Sequence, residues 1–223
     1  MLYILGITGS IGCGKSTITR LLGTRGARTL DADQLARAAL APGSPLLSQV
    51  ADRFGADLLA TDTPTPTLNR TLLAERVFAD PTRLRQLETL IHPYVFQQMA
   101  ATLNEWATTP PPHPITIAAL EIPLLFETHS AHLCDGILVV ACGEEQNTRL
   151  AQRPNIPATL RQQIIAQQLP ESLKCQQAHW ILDNRHDPAT LPARLDPIWQ
   201  ELHTRPPPTN PAWPTQWHPW LQP

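Results

Sequence analysis

Residues 2–17 read LYILGITGSIGCGKST, and this stretch decides the fold. Its first seven residues form a nearly continuous apolar run, as expected for a strand that is covered on both faces of a sheet. Residues 9–16 match the motif G-x-x-x-x-G-K-S/T in full, and Ile18, Leu21 and Leu22 follow at helical spacing. A strand that ends in this motif and opens into a helix predicts a P-loop, the backbone cradle for nucleotide phosphates.

Each residue type in this loop has a chemical reason. Gly9, Gly12 and Gly14 allow the backbone to turn and to approach phosphate oxygens closely, so that N–H groups surround them. We expect Lys15 to reach the β- and γ-phosphates and the Ser16 hydroxyl to ligate Mg²⁺. The alternative is a glycine turn that merely joins a strand to a helix.

Beyond the loop, strand-like and helix-like segments alternate. Five strands joined by helices predict an α/β fold with a parallel sheet and right-handed crossovers. The apolar strand-like runs are residues 2–8, 27–30, 115–120, 136–141 and 180–182.

Helical patterns fill the intervals. An apolar stripe over residues 46–54 ends at Gly55, and Asp80 with Pro81 resembles an N-cap followed by the first helical residue. We interpret His92-Pro93 as a turn between two helices, because proline interrupts a helix. Later helices are predicted over residues 144–153, 157–169, 171–178 and 188–203.

Composition limits the classes of function. A chain of 223 residues with a formal net charge of −2 suits one compact domain with a small insertion or lid, and it has no general attraction for nucleic acid. No segment reaches the roughly 20 apolar residues of a membrane span. Four widely spaced cysteines predict free thiols in a reducing cytoplasm. The sequence does not indicate an oligomeric state.

Residues 204–223 are rich in Pro and Trp, and we expect a loosely packed or disordered tail.

Carboxylates follow two of the predicted strands. Asp31 and Asp33 come after the second strand, and Glu121 comes after the third. Because ligands bind at the carboxyl ends of parallel strands, an aspartate there is expected to take the proton of an attacking hydroxyl or to help hold Mg²⁺. Spacing does not say which aspartate acts, and either could instead cap the next helix. Glu121 stands where a Walker B carboxylate would, although a proline-broken turn is the alternative.

Arginines are predicted to form part of a lid. Arg149 and Arg153 lie four residues apart on one helix face, and Arg161 follows. Guanidinium groups suit the closing of a lid over a triphosphate, although a solvated helix face is the alternative.

A separate hypothesis concerns Cys13, whose place beside Lys15 in an N–H-rich loop favours a thiolate that ATP would protect from alkylation.

Several of these features occur together, in order, over residues 1–203. Besides the P-loop they are Asp31-Ala32-Asp33, Ala36-Arg37, His92-Pro93, Pro123-Leu124-Leu125-Phe126-Glu127, Gln146, Arg149, Arg153, Gln168, Lys174 and Ile181-Leu182-Asp183-Asn184. On these residues the chain resembles the dephospho-coenzyme A kinases, which catalyse the last step of coenzyme A synthesis. The chain departs from the family pattern at Pro154-Asn155, His179 and Arg185-His186, which puts the lid geometry in question.

The resemblance implies a P-loop NTPase fold with three layers around a five-stranded parallel sheet, a helical acceptor-binding region and a helical lid at about residues 149–175. It implies transfer of the γ-phosphoryl group of ATP to the ribose 3′-hydroxyl of dephospho-CoA, with Mg²⁺ as cofactor. Asp33 would be the general base, with Lys15 and Arg149 as further catalytic residues. The expected ATP-binding residues are Gly9, Gly12, Cys13, Gly14, Lys15, Ser16, Thr17, Arg149 and Arg153, and the expected acceptor-binding residues are Thr8, Asp33, His92, Leu124 and Leu125.

Three other functions share parts of this pattern. Another small-metabolite or nucleoside kinase would keep Lys15 and Asp33 but use a different acceptor pocket. A GTPase-like switch would need an N-K-x-D element, which the sequence lacks, and Asp183-Asn184-Arg185 is a poor substitute. A nucleotide sensor without catalysis is disfavoured by the intact Lys15, Ser16 and Asp33.

Overall fold

The structure is a computed structural model that describes residues 1–60, 64–109, 115–152, 158–185, 187–204, 208 and 211–221. The chain divides into two compact units. The larger unit comprises Met1–Ala32 and Ala100–Pro223, and the smaller unit comprises Asp33–Met99.

Strands and helices alternate through most of the chain. The strands are β1 (Leu2–Thr8), β2 (Arg28–Asp31), β3 (Leu59–Ala60), β4 (Thr67–Leu68), β5 (Thr116–Glu121), β6 (Gly136–Ala141) and β7 (Trp180–Asp183). The helices are α1 (Lys15–Thr24), α2 (Ala32–Ala39), α3 (Pro45–Phe54), α4 (Arg70–Phe78), α5 (Pro81–Thr108), α6 (Glu145–Ala151), α7 (Ala158–Ala166), α8 (Glu171–Gln176) and α9 (Leu191–Thr204).

The larger unit is built on a five-stranded parallel sheet with the strand order β2-β5-β1-β6-β7. This confirms the five strands predicted from the sequence. Asp31 and Ile7 both lie in register with Glu121, and Thr8 lies in register with Val139. Because all the strands run the same way, Thr8, Asp31 and Glu121 end at one edge of the sheet.

Both faces of this sheet are covered, and every residue of β1 is buried. On one face, Ile18 and Leu22 of α1 are one helical turn apart and join the same apolar cluster as Leu5 and Ile7 of β1. α9 adds Leu191, Leu195, Ile198 and Leu202, which are spaced at the helical period. On the opposite face Gly6 lies against Leu125 and Cys134, where a Cβ atom would meet the Cys134 sulfur at 2.7 Å.

The smaller unit is mainly helical and carries a short antiparallel pair of strands, β3 with β4. Its helices begin at polar caps: the Ser44 hydroxyl accepts the N–H of Leu46 before α3, and the Asn69 side chain accepts the N–H of Leu72 before α4. The sequence did not predict β3 and β4, because two-residue strands are too short to show an alternating pattern.

The predicted turn at His92-Pro93 is wrong, because α5 continues through Pro93 to Thr108. The predicted start of this helix is confirmed, since the Asp80 carboxylate accepts the N–H of Thr82 at 2.8 Å. Proline removes one backbone donor from a helix. Burial of Ile91 and Val95, on either side of Pro93, favours the continuous helix.

The prediction of a loosely packed tail is also wrong for the described part of residues 204–223. Trp217 is 0% exposed, and its indole Nε1 donates to the carbonyl of Leu133 at 2.8 Å. The N–H of Ala212 donates to the Asp135 carboxylate at 2.6 Å, and the other oxygen of Asp135 accepts the N–H of Ile4 at 2.7 Å. Tryptophan made this segment look atypical in the sequence, and one of its tryptophans, Trp217, holds the segment in place through burial and the bond to Leu133.

The four cysteines (Cys13, Cys134, Cys142 and Cys175) are free thiols. Within the described ranges, no helix is both long enough and apolar enough to cross a membrane.

Candidate active site

The P-loop lies between β1 and α1, as the motif predicts. Gly9 has φ +146° and Gly14 has φ +95°, backbone conformations that residues with a Cβ atom rarely adopt. Space is restricted as well, because a Cβ atom on Gly9 would collide with the Val140 carbonyl and one on Gly14 with the Asn184 amide. Glycine is therefore required at both positions for two independent reasons.

Lys15 is buried within this loop. It is 8% exposed, and its ammonium donates to the carbonyls of Gly9 at 3.0 Å and Ser10 at 3.1 Å. In the described part of the chain, no side chain caps the first turn of α1, which begins at Lys15. The N-terminal end of this helix and the ammonium together make an electropositive site that suits phosphate oxygens.

Glu121, at the end of β5, contacts the first helix after the loop. Ser16 Oγ donates to Glu121 Oε1 at 2.9 Å, and Thr19 Oγ1 donates to Glu121 Oε2 at 3.1 Å. Burial raises the pKa of Glu121 above its usual range, and the hydrogen bond from Ser16 opposes that rise. The contact with Ser16 fits the Walker B interpretation of Glu121, which stays a prediction. Residues 123–129 form the turn of the alternative, with Leu125 fully buried. Sequence reasoning missed Thr19, although it stands one turn after Lys15.

The two candidate aspartates lie in different units. Asp31 ends β2 in the larger unit and raises the pKa of its neighbour Glu121 by charge repulsion. Asp33 is an exposed residue in the first turn of α2, where the smaller unit begins. The role of Asp33 as a general base stays a prediction.

The expected acceptor-binding residues are also divided between the units. In the larger unit Thr8 is fully buried, and its hydroxyl donates to the Pro123 carbonyl at 3.2 Å. Leu124 is half-buried, whereas Leu125 is fully buried against Gly6.

His92 belongs to α5 in the smaller unit. Its ring packs edge-on against Phe96 with the centroids 6.2 Å apart, and burial lowers the pKa of the imidazole while Glu88 opposes that effect. The proposed contacts of His92 and of the larger unit's acceptor-side residues with a substrate stay predictions.

Arg149 is linked to the P-loop through Asn184. Its guanidinium donates to the Asn184 carbonyl at 2.6 Å, and the Asn184 side chain donates to the Cys13 carbonyl at 2.8 Å. Asn184 is 5% exposed, so this link is buried beside the loop. The sequence pointed to Asn184 only as part of Ile-Leu-Asp-Asn after the last strand. Arg153 lies outside the described residues, and Arg161 donates to the Leu150 carbonyl at 2.6 Å.

The hypothesis of a reactive Cys13 thiolate is wrong. The Cys13 side chain is 0% exposed and belongs to the apolar cluster beneath the sheet. Burial raises the pKa of this thiol, and the nearby charge of Lys15 only partly offsets the effect. The sequence placed Cys13 in an N–H-rich loop but did not show that its side chain faces inward.

Comparison with known proteins now adds to this geometry. A family model described as dephospho-CoA kinase matches residues 3–189 of the chain. A dephospho-CoA kinase from Synechococcus sp. (strain JA-3-3Ab) is 38% identical in an alignment 208 positions long, and the aligned region covers 86% of this chain and 89% of that protein. The chain belongs to the dephospho-CoA kinase family.

Two solved structures share the fold of the chain. The crystal structure of TT1252 from Thermus thermophilus superposes with a TM-score of 0.69 at 33% identity, covering 90% of this chain and 97% of that one. The dephospho-CoA kinase from Campylobacter jejuni shares the fold, with a TM-score of 0.65 at 22% identity over 91% of this chain and 98% of that one. As a member of the dephospho-CoA kinase family the chain is a kinase, with the P-loop NTPase fold that the resemblance implied. The docked tail lies beyond the residues that the dephospho-CoA kinase model matches.

Proposed function

We propose that the protein transfers the γ-phosphoryl group of ATP to the ribose 3′-hydroxyl of dephospho-CoA, giving coenzyme A and ADP. The observation that carries this proposal is the contact of Ser16 with Glu121 beneath the P-loop, in a chain that belongs to the dephospho-CoA kinase family. That contact joins the loop expected to bind phosphate to the carboxylate expected near the metal.

The P-loop supplies the binding site for the triphosphate. When ATP binds, the Lys15 ammonium exchanges the carbonyls of Gly9 and Ser10 for oxygens of the β- and γ-phosphates. The ammonium then faces negatively charged oxygens in place of neutral carbonyls, and the added Coulomb attraction favours the bound state. The first turn of α1 adds its partial positive charge.

Ser16 and Glu121 are the residues that would hold Mg²⁺, Glu121 through a water molecule. Their oxygens lie 2.9 Å apart, and hydroxyl and carboxylate oxygens are the ligands that this hard cation prefers. When bound, Mg²⁺ neutralises negative charge on the β- and γ-phosphates. The donor set of this chain therefore fits the cofactor expected from the sequence.

Asp33 is proposed to accept the proton of the 3′-hydroxyl as that oxygen attacks the γ-phosphorus. Its carboxylate is exposed two residues beyond the end of β2, and a general base has to come within hydrogen-bond reach of the proton that it takes. Arg149 would stabilise the negative charge on the transferring group. The residues proposed to contact dephospho-CoA are Thr8, His92, Leu124 and Leu125, and those proposed to contact ATP include Arg153.

We also propose that the enzyme acts in the cytoplasm, since its four cysteines carry free thiols and a reducing compartment preserves them.

A panel of acceptors tests the proposed substrate. The purified chain is incubated with ATP, Mg²⁺ and either dephospho-CoA, a nucleoside, a hexose or no acceptor, and release of ADP is followed. We expect rapid release only with dephospho-CoA, and release about 10²–10³-fold slower with that acceptor in the Lys15→Ala control. Faster release with the nucleoside or hexose would instead identify a different small-metabolite kinase.

A further inference from the structure

Residues 168–174, here called the anchor segment, accept hydrogen bonds from the loops that follow β1 and β6. The Gln168 side-chain oxygen accepts the N–H of Ile11 in the P-loop at 2.8 Å. The Glu171 carboxylate accepts backbone N–H groups after β6, from Cys142 at 2.7 Å and Gly143 at 3.1 Å. The anchor segment therefore fixes the backbone on two sides of the phosphate site.

The anchor segment also contacts the loop after β5, here through an ion pair. The Glu127 carboxylate oxygen Oε1 accepts both the Lys174 ammonium at 2.8 Å and the N–H of Leu169 at 2.8 Å. The same ammonium lies 3.5 Å from the Pro123 carbonyl, which also accepts the Thr8 hydroxyl at 3.2 Å. Leu169 and Lys174 of the anchor segment thus hold the loop that contains Leu124 and Leu125, two of the expected acceptor-binding residues.

This ion pair is not what stability alone would select. The Lys174 side chain is 0% exposed and that of Glu127 is 12% exposed. Burying two charges costs about as much as their attraction returns, so an apolar pair of similar volume would stabilise a fold equally well. In addition, Glu127 Oε2 is buried and has no hydrogen-bond partner among the described residues, which a native structure rarely tolerates without a reason. The pair does fix the relative position of the two segments, because Glu127 also accepts the Leu169 N–H and Lys174 also contacts the Pro123 carbonyl.

We propose that Glu127 and Lys174 are positioning residues for the acceptor. Their ion pair ties the loop after β5 to the anchor segment, so that Leu124 keeps a fixed distance from Thr8 and the adjoining P-loop. The two residues act through the Pro123 carbonyl and the Leu169 N–H rather than by touching reacting atoms. This inference rests on the proposed function, because the acceptor is assigned to that side of the larger unit.

Charge-removing variants test the proposal. Glu127→Gln and Lys174→Met each leave one buried charge without its partner, whereas the double variant removes both charges with little change of volume. We expect each single variant to lose about 10- to 100-fold in kcat/KM for dephospho-CoA, because a misplacement of about 1 Å costs up to 10²-fold. The KM for ATP should change much less.

The double variant separates positioning from stability. We expect its urea midpoint to return toward that of the wild type, since no uncompensated charge remains, while kcat/KM for dephospho-CoA stays low. The matched control is Asp57→Asn, which neutralises the carboxylate of an exposed ion pair with Arg76 and should leave both measurements unchanged. Recovery of kcat/KM together with the midpoint, or a rise in the KM for ATP as large as the fall in kcat/KM for dephospho-CoA, would overturn the proposal.

Amide hydrogen exchange measures how firmly the anchor segment is held, and it needs no acceptor substrate. We expect the N–H of Leu169 to exchange faster in Lys174→Met than in the wild type, because the Glu127 carboxylate that accepts it loses its ion pair. If the wild type fails to phosphorylate dephospho-CoA, the proposed function fails, whether or not the exchange result holds. Unchanged exchange in an active enzyme would instead refute the anchor alone.

Discussion

Replacing Trp217 with alanine removes a side chain that the larger unit buries completely. Truncating a fully buried tryptophan costs about 3–5 kcal/mol of the free energy of unfolding, because contacts are lost and a cavity remains. Trp217→Phe keeps most of the apolar contact and loses the hydrogen bond to the Leu133 carbonyl. Leaving that carbonyl unpaired costs about 1–3 kcal/mol. The alanine variant should therefore lose more stability than the phenylalanine variant.

Urea unfolding followed by circular dichroism measures both losses. With a slope of about 2 kcal/mol/M, Trp217→Ala should lower the midpoint by about 1.5–2.5 M and Trp217→Phe by about 0.5–1.5 M. Trp220→Ala is the matched control, since Trp220 lies three residues further along and is only half-buried. If Trp217→Ala and Trp220→Ala shifted the midpoint equally little, the docking of the C-terminal segment would be refuted.

The remaining predictions concern the site. Lys15→Ala should lower kcat by about 10²–10³-fold in a coupled ADP assay, because the transferring phosphate loses a charge-assisted donor; a normal kcat would place the reaction elsewhere. Asp33→Asn should bind ATP normally in calorimetry yet lower kcat by about 10²–10⁴-fold, as expected for loss of a general base; weakened ATP binding with normal turnover of the bound fraction would reassign it. An alkylating reagent should modify Cys13 slowly at neutral pH and at a rate that ATP leaves unchanged, because burial raises the pKa of the thiol. Fast labelling that ATP prevents, measured by peptide mass, would restore the thiolate hypothesis.

The core of the fold was predictable because its signals are local. A P-loop needs glycine where φ is positive and where a Cβ atom has no room, and Gly9 and Gly14 meet both conditions. Buried parallel strands read as continuous apolar runs, so β1 and β6 could be placed within a residue of their observed bounds. Glu121 was likewise predictable, since it directly follows such a run.

The rest depends on contacts between residues that are distant in sequence. Pro93 looks like a helix end until the burial of Ile91 and Val95 on either side is known. Trp217 and Leu133 are 84 residues apart, so no local pattern could reveal the docked tail. Asn184 bonds the Cys13 carbonyl across 171 residues, and its contribution to the P-loop was missed for the same reason.

The central claim is that the P-loop and Glu121 serve transfer of a phosphoryl group to dephospho-CoA. Its most direct test is incubation of the purified chain with ATP, Mg²⁺ and dephospho-CoA, with the product analysed by mass spectrometry and phosphorus NMR. We predict one added phosphoryl group, attached to the ribose 3′-oxygen. An unchanged dephospho-CoA in the presence of enzyme that binds ATP, or a phosphoryl group at any other position, would contradict the account.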